Sequence, residues 1–271
     1  MTSGVLVFAY NNEKINYVEQ AKTLASRVSK YLNLPTTLVT DVPIDRGVFD
    51  EVIVLEHKIS NTKNYNNGAT KTEKLKFIND NRVRSFDISP YDQTLLLDSD
   101  FILADDKFKH CFNSAYNFMI YKDAYDLAGH RDYREFDNIS DSSIEFYWAT
   151  CVYFTKTPTN KIFFDLLKHI QENYQHYRQV YQIQTPVYRN DHAFSIAIHM
   201  MNGFEKSNFA NTMPGKLFYT TDRDLVYKIE DDKFWFLLQK EKDLYETMPC
   251  YFCGNSVHIM NKFSLGEAIN G

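Results

Sequence analysis

Residues 90–103 read PYDQTLLLDSDFIL, an apolar run that ends in two carboxylates, Asp98 and Asp100, separated only by Ser99. A run this short and continuous is the pattern of a strand buried on both faces; a half-exposed strand would alternate and a helix would space its apolar residues by three and four. GVLVFAY at 4–10, TTLV after Pro35 and EVIVL at 51–55 have the same character. Between the first two, Val18, Ala21, Ala25, Val28 and Leu32 recur at helical spacing. Strands alternating with helices predict a parallel sheet covered on both faces, with ligands bound beyond the carboxyl ends of its strands. Asp98 and Asp100 would then stand at that edge.

The second half is less regular. DLAGH reads as a strand, EFYWATCVYF at 145–154 as a long one, and 159–174 as a helix carrying Ile162, Phe163, Leu166, Leu167 and Ile170. A Tyr- and Gln-rich connection at 174–188 follows, then NDHAFSIAIHMMNG, a helix with a polar cap and a stopping Gly203. KLFYT and FWFLL are short apolar pieces of open order. No Pro/Gly/Ser-rich linker or internal repeat divides the 271 residues, which points to one domain.

Charge and cysteines narrow the setting. A formal net charge of −5 argues against a whole-surface grip on nucleic acid. One stretch, 58–84, is locally basic, with Lys58, Lys63, Lys71, Lys74, Lys76, Arg82 and Arg84 against Glu73 and Asp80; it is either the wall of an anion site or a solvated face. The four cysteines, with no apolar leader, fit a reducing cytoplasm, and CYFC at 250–253 lacks the second pair that a zinc site needs. Its cysteines are expected to be packing residues. No apolar run approaches the roughly 20 residues of a membrane span.

The glycines are too scattered for G-x-G-x-x-G or a Walker A loop, and no G-x-S-x-G is present. What stands out is the Asp-Ser-Asp closing an inner strand. Hard divalent cations take oxygen ligands, and a diphosphate must have its charge neutralised before it can leave. An Asp-x-Asp that merely ends a strand in a turn is the plain alternative.

TLLLDSDFIL, placed after three β-type segments, resembles the Asp-x-Asp motif of glycosyltransferases of the GT-A fold. With YWATCVYF and RNDHAFSIA, the resemblance extends over most of the chain and is nearest to bacteriophage-encoded members. It implies a GT-A type (Rossmann-like) α/β fold, a mixed, mainly parallel sheet flanked by helices, in a single domain 1–271 with a nucleotide-binding half, 1–104, and an acceptor- and sugar-binding half, 105–271. The implied activity is a metal-dependent hexosyl- or pentosyltransferase that uses Mn²⁺ or Mg²⁺ and a nucleoside-diphosphate sugar. The acceptor would be a glycan or a modified base of phage DNA, and the place of action the host cytoplasm.

Residue by residue, the resemblance has Asp98 and Asp100 chelating the metal, Asp100 directly and Asp98 also within reach of ribose or sugar. VHIMNKF resembles the His-x-x-Gly-x-x-Lys ending of glycogenin-like and lipopolysaccharide-type members, so His258 completes the metal site and Lys262 grips the diphosphate. Asn261 stands where that pattern has Gly, and Lys262 comes early; a buried histidine on a final strand is the plain reading of His258. Ala9, Tyr10 and Asn11 would meet base and ribose, and a helix before the Asp-x-Asp strand would present Lys74 and Arg82. Asp191 is an N-cap, an acceptor-facing carboxylate, or both. Trp148 either stacks on a sugar or belongs to the core. A sugar-phosphate nucleotidyltransferase is the rival enzyme, though FAYNNEK lacks the glycine-rich loop of that class. A non-catalytic GT-A-like binding protein is the rival outside catalysis.

Overall fold

The computed structural model describes residues 1–57, 61–140, 144–205, 209–239 and 246–270. In chain order the elements are β1 Ser3–Phe8, α1 Tyr17–Leu32, β2 Thr36–Thr40, β3 Glu51–Val54, β4 Asn61–Asn67, β5 Lys71–Phe77, α2 Ser85–Ile88, β6 Gln93–Asp98, β7 Phe101–Ile102, α3 Lys109–Phe112, β8 Phe118–Tyr121 and β9 Ala124–Asp126. There follow β10 Trp148–Thr155, α4 Pro158–Glu172, α5 Tyr174–Val180, α6 Asn190–Met201, β11 Asn211–Thr212, β12 Leu217–Thr220, β13 Leu225–Glu230, β14 Lys233–Gln239, β15 Thr247–Cys253, β16 Val257–Ile259 and α7 Lys262–Asn270. Short 3-10 helices at Asn81–Arg84 and Tyr133–Phe136 complete the set.

The four apolar runs form the middle and one flank of a sheet ordered β11-β8-β10-β6-β1-β2-β3. β3, β2, β1 and β6 are parallel, so Phe8, Val39 and Asp98 come into register at one edge. β10 enters antiparallel to β6, which puts its first residues, Trp148 to Thr150, at that same edge. The fold is therefore the expected mixed, mainly parallel α/β sheet flanked by helices.

Alternate residues of each inner strand serve opposite layers. Val5, Val7, Leu95 and Leu97 pack with Ala21, Leu24 and Val28 of α1, while Leu6 and Leu96 pack with Phe163, Phe164, Phe194 and Ile196 of α4 and α6. Each such buried side chain is worth about 2 kcal/mol of apolar transfer. The helices are bounded by side chains as well as by packing. Asn16 accepts from the Glu19 amide at the start of α1, and Asn33 closes its end in the left-handed region. Thr157 caps α4 ahead of Pro158.

A second sheet, β7-β16-β12-β9, branches off directly after β6. The chain leaves the central sheet at Asp98 and joins the second at Phe101, which is in register with His258 of β16. An antiparallel sheet, β13-β14-β15, and α7 pack behind it.

Four expectations are corrected. The basic stretch before the Asp-x-Asp strand is a β-hairpin, β4–β5, followed by a 3-10 turn, not a helix; Lys58 lies outside the described residues. DLAGH is a turn, because the Asp126 side chain accepts from the Ala128 amide and ends β9 there, and β8 supplies a strand that the sequence reading lacked. The 174–188 connection opens with α5. In CYFC, Cys250 leans on an apolar cluster but Cys253 is exposed, so only the first is a packing residue; both are free thiols. No helix among the described residues is long and apolar enough to cross a membrane.

Candidate active site

A cleft of about 740 Å³ opens at the carboxyl edge of the parallel strands. Its floor carries Asp98 and Asp100, its sheet wall Tyr10 and Trp148–Thr150, and its far walls the β4–β5 hairpin, the start of α6 and the residues around His258. Asp98 arrives on β6 and His258 on β16, whose register with Phe101 brings the imidazole over the Asp-x-Asp bend. Ligand atoms of Asp98, Asp100 and His258 all lie within 4.8 Å of one another. The His258 Nε2 is 3.2 Å from Asp100 Oδ2, and its Nδ1 is 3.4 Å from Thr150 Oγ1.

The charges in this group are compensated in pairs. Lys262, first residue of α7, pairs with Asp100; Arg82, from the 3-10 turn, pairs with Asp98 and donates to the carbonyls of Ala149 and Thr150. Burial pushes the Asp100 carboxyl up, but Lys262 and His258 together outweigh it and hold the group well below the usual carboxylate range. At Asp98 burial prevails: Arg82 opposes the rise, the Asp100 charge adds to it, and the carboxyl is raised. Two carboxylates and an imidazole in this spacing form a donor set that suits Mg²⁺ or Mn²⁺ with positions left for other oxygens.

No family model matches the chain, and no curated protein matches it. Among solved structures it is similar to the glycosyltransferase GlyE of Streptococcus pneumoniae TIGR4, at 12% identity and a TM-score of 0.41, over 78% of this chain and 45% of that one. The apo form of the same protein gives 14% identity and a TM-score of 0.44, over 76% and 44%. The galactosyltransferase LgtC, solved in complex with donor and acceptor sugar analogues, gives 12% identity and a TM-score of 0.43, over 77% of this chain and 72% of that one. The chain thus spans less than half the length of GlyE.

Of the residues singled out in the sequence, Tyr10, Lys74, Arg82, Asp98, Asp100, Trp148, Asp191, His258 and Lys262 all line this one cleft. The Tyr10 hydroxyl accepts from Asn81 Nδ2 at 2.9 Å. Ala9 and Asn11 are not part of the lining. Ala9 is packed in the core, and the Asn11 side-chain Oδ1 accepts from the Val18 amide at the entry to α1. Lys74 reaches the cleft from strand β5.

Asp191 is not the N-cap of α6. Arg189 holds that position in an extended conformation, and Asp191 follows in the first turn. Its Oδ1 accepts from the Ala149 amide at 2.9 Å and its Oδ2 pairs with Arg189 at 3.0 Å. Burial would raise this carboxyl, but Arg189 and the Ala149 amide outweigh it and lower it. Trp148 is only 3% exposed and sits among Phe136, Phe146 and Tyr219, so it is a core residue that also shows an edge to the cleft. Its indole Nε1 is buried without a hydrogen-bond partner.

Asn261 has a physical reason to stand where the resembled ending has Gly. It is fully buried; its Nδ2 donates to the carbonyls of Asp222 and Asp224, and its Oδ1 accepts from the Ser264 amide, capping α7 just ahead of Lys262. Sequence reasoning missed Arg131, Arg189 and Asp222 in the lining and gave Lys63 no individual role. Only the Asn-Gly turn at 67–68, a strong hairpin signal, could have shown that Lys63 and Lys74 sit on a β-ribbon.

Proposed function

We propose that this chain is a metal-dependent glycosyltransferase of GT-A type that moves a hexosyl or pentosyl group from a nucleoside-diphosphate sugar to an acceptor hydroxyl. The observation that carries the reading is the Asp98–Asp100–His258 group on the floor of a cleft at the carboxyl edge of a mainly parallel sheet. In the reaction the bond from the anomeric carbon to the diphosphate oxygen breaks. A bond to the acceptor oxygen forms, and the hydroxyl proton is released, leaving a nucleoside diphosphate.

Asp98, Asp100 and His258 would hold Mn²⁺ or Mg²⁺, which when bound neutralises charge on the departing diphosphate. Lys262, already on Asp100, lies within reach of the same phosphates and adds a fixed positive charge there. Tyr10, two residues past the end of β1, offers a ring and a hydroxyl to the base. The edge of Trp148 in the cleft lining would meet the sugar. Asp191 has both oxygens engaged and its pKa lowered, which makes it a poor proton acceptor; it positions Arg189 and the Ala149 amide at the acceptor side. The hairpin and Asp222 close the cleft over the nucleotide.

Mn²⁺-dependent hydrolysis of nucleotide sugars tests the reading. Turnover should need the cation, and Asp100→Asn should lower it by about 100-fold or more by weakening the metal site. Turnover by wild type and variant alike, with or without Mn²⁺, would refute it. The acceptor, glycan or modified DNA base, is then found by supplying each with the donor that turns over.

A further inference from the structure

The β4–β5 hairpin holds a cation that the reading above does not use. Lys63 extends into the cleft from β4, its Nζ 5.3 Å from the ring centroid of Tyr65 and 5.2 Å from that of Phe77. Those cation–π contacts hold the ammonium of a side chain that would otherwise sample many rotamers. Lys63 is an exposed residue of β4, yet crowding of its ammonium by the cleft walls and then the like charges of Lys262 and Arg189 pull it down to about 8, with Asp222 and Asp100 opposing. Lys262 and Arg189 each have a carboxylate of their own, Asp100 and Asp191. Among the described residues Lys63 is in no ion pair.

The hairpin is tied down and does not hang free. Tyr65 meets Tyr17 hydroxyl to hydroxyl at 3.1 Å, Lys14 pairs with Glu73 at 2.5 Å, Asn12 donates to the Lys76 carbonyl at 3.0 Å, and Asn66 donates to Asp222 at 3.0 Å. An ammonium in no ion pair, lining the same cleft as Lys262 and Arg189, adds to a positive field there that Asp222 and Asp100 oppose and that a bound anion would offset further. Lys63 and Lys262 line the same cleft as the Asp98–Asp100–His258 group, so one anion held between the two lysines would lie beside that group.

We infer that Lys63 is a diphosphate-binding residue, a second protein cation that joins Lys262 on the phosphates of the donor and of the released nucleoside diphosphate. This rests on the proposed donor class. The hairpin is thereby part of the donor site itself, and α7 and β4 grip one ligand from two sides of the cleft. Lysine at this place acts as a point charge, so arginine should replace it with little loss.

Calorimetric titration of the full chain with inorganic pyrophosphate, and separately with nucleoside diphosphates, in saturating Mn²⁺ tests this. Lys63→Met should bind both about 10- to 100-fold more weakly than wild type, and Lys63→Arg within about threefold of it. Lys71→Met, an exposed hairpin lysine outside the cleft lining, should leave affinity unchanged, and the melting temperatures of all three variants should match wild type. If wild type binds diphosphates and Lys63→Met binds them equally well, or if Lys71→Met weakens binding as much, the inference is overturned and the effect is at most one of general field. If wild type with Mn²⁺ binds neither pyrophosphate nor any nucleoside diphosphate, it is the function reading that fails, and the role of Lys63 falls with it.

Discussion

Arg82→Met probes how the candidate site is built into the fold. The guanidinium, 6% exposed, satisfies Asp98 and the carbonyls of Ala149 and Thr150 at once, so it fastens the turn before β6 to the end of β6 and the start of β10. A methionine fills much of the space but leaves a carboxylate and two carbonyls without their donor. Removing one partner of a buried pair costs about 3–5 kcal/mol. The Asp98 side chain is 35% exposed, so water takes over part of the lost interaction and about 3 kcal/mol remains. For a chain of this length each kcal/mol moves the melting point by roughly 2–4 °C, which gives a fall of about 6–12 °C. Thermal melts followed by circular dichroism read this directly. Adding Asp98→Asn should recover part of the loss, since the uncompensated charge is then gone, and saturating Mn²⁺ should narrow the gap between Arg82→Met and wild type. A melting point within about 2 °C of wild type, or strictly additive effects in the double variant, would show that Arg82 and Asp98 are not coupled as described.

Three further outcomes are expected. Asn261→Gly, which restores the residue of the resembled ending, should destabilise by about 2–3 kcal/mol in urea unfolding, because the Asp222 and Asp224 carbonyls and the Ser264 amide lose their partner. Gly4→Ala should lose about 1–3 kcal/mol, since the new Cβ would stand 2.3 Å from the Tyr91 ring, and less in a Tyr91→Ala background. His192, buried beside Tyr174, is lowered from 6.5 to about 4 by burial and then by Arg189, with Asp191 opposing. Above pH 6.5 both folded and unfolded chains leave it neutral. As pH falls from 6.5 to about 4 the unfolded chain takes up a proton that the folded site refuses, so stability drops across that window by up to about 3 kcal/mol, and His192→Gln should flatten this part of the pH profile.

The parallel core was legible because its strands are buried on both faces, so β1, β2, β3 and β6 appear as unbroken apolar runs that tertiary context does not disguise. The hairpin was not, because NTKNYNN and KTEKLKF cover only one small apolar cluster, with Tyr65, Leu75 and Phe77, and look like solvated chain. The second sheet was beyond reach for another reason. β7, β9, β12 and β16 are two to four residues long and pair with segments far away, and no local pattern records such partners. At the site, Asp98 and Asp100 could be read because a strand end fixes where its carboxylates go. Ala9 and Asn11 lie outside the cleft lining because Ala9, just past β1, packs into the core and the Asn11 side-chain oxygen is used on the Val18 amide at the start of α1. Trp148 had a core reading and a ligand reading, and it has the ring contacts of the first and an edge in the cleft lining for the second.

Ser99 and Asp100 are also the two residues in which the chain passes from the central sheet to the second one, while His258 belongs wholly to the second. The three ligand atoms therefore straddle a seam between layers. A cation held by Asp98, Asp100 and His258 would act as a rivet through that seam, so that occupancy of the site and the mechanical union of the two sheets become one variable. Amide exchange in β7, β12 and β16 should slow when Mn²⁺ is added, while exchange at β2 and β3, away from the seam, stays as it was.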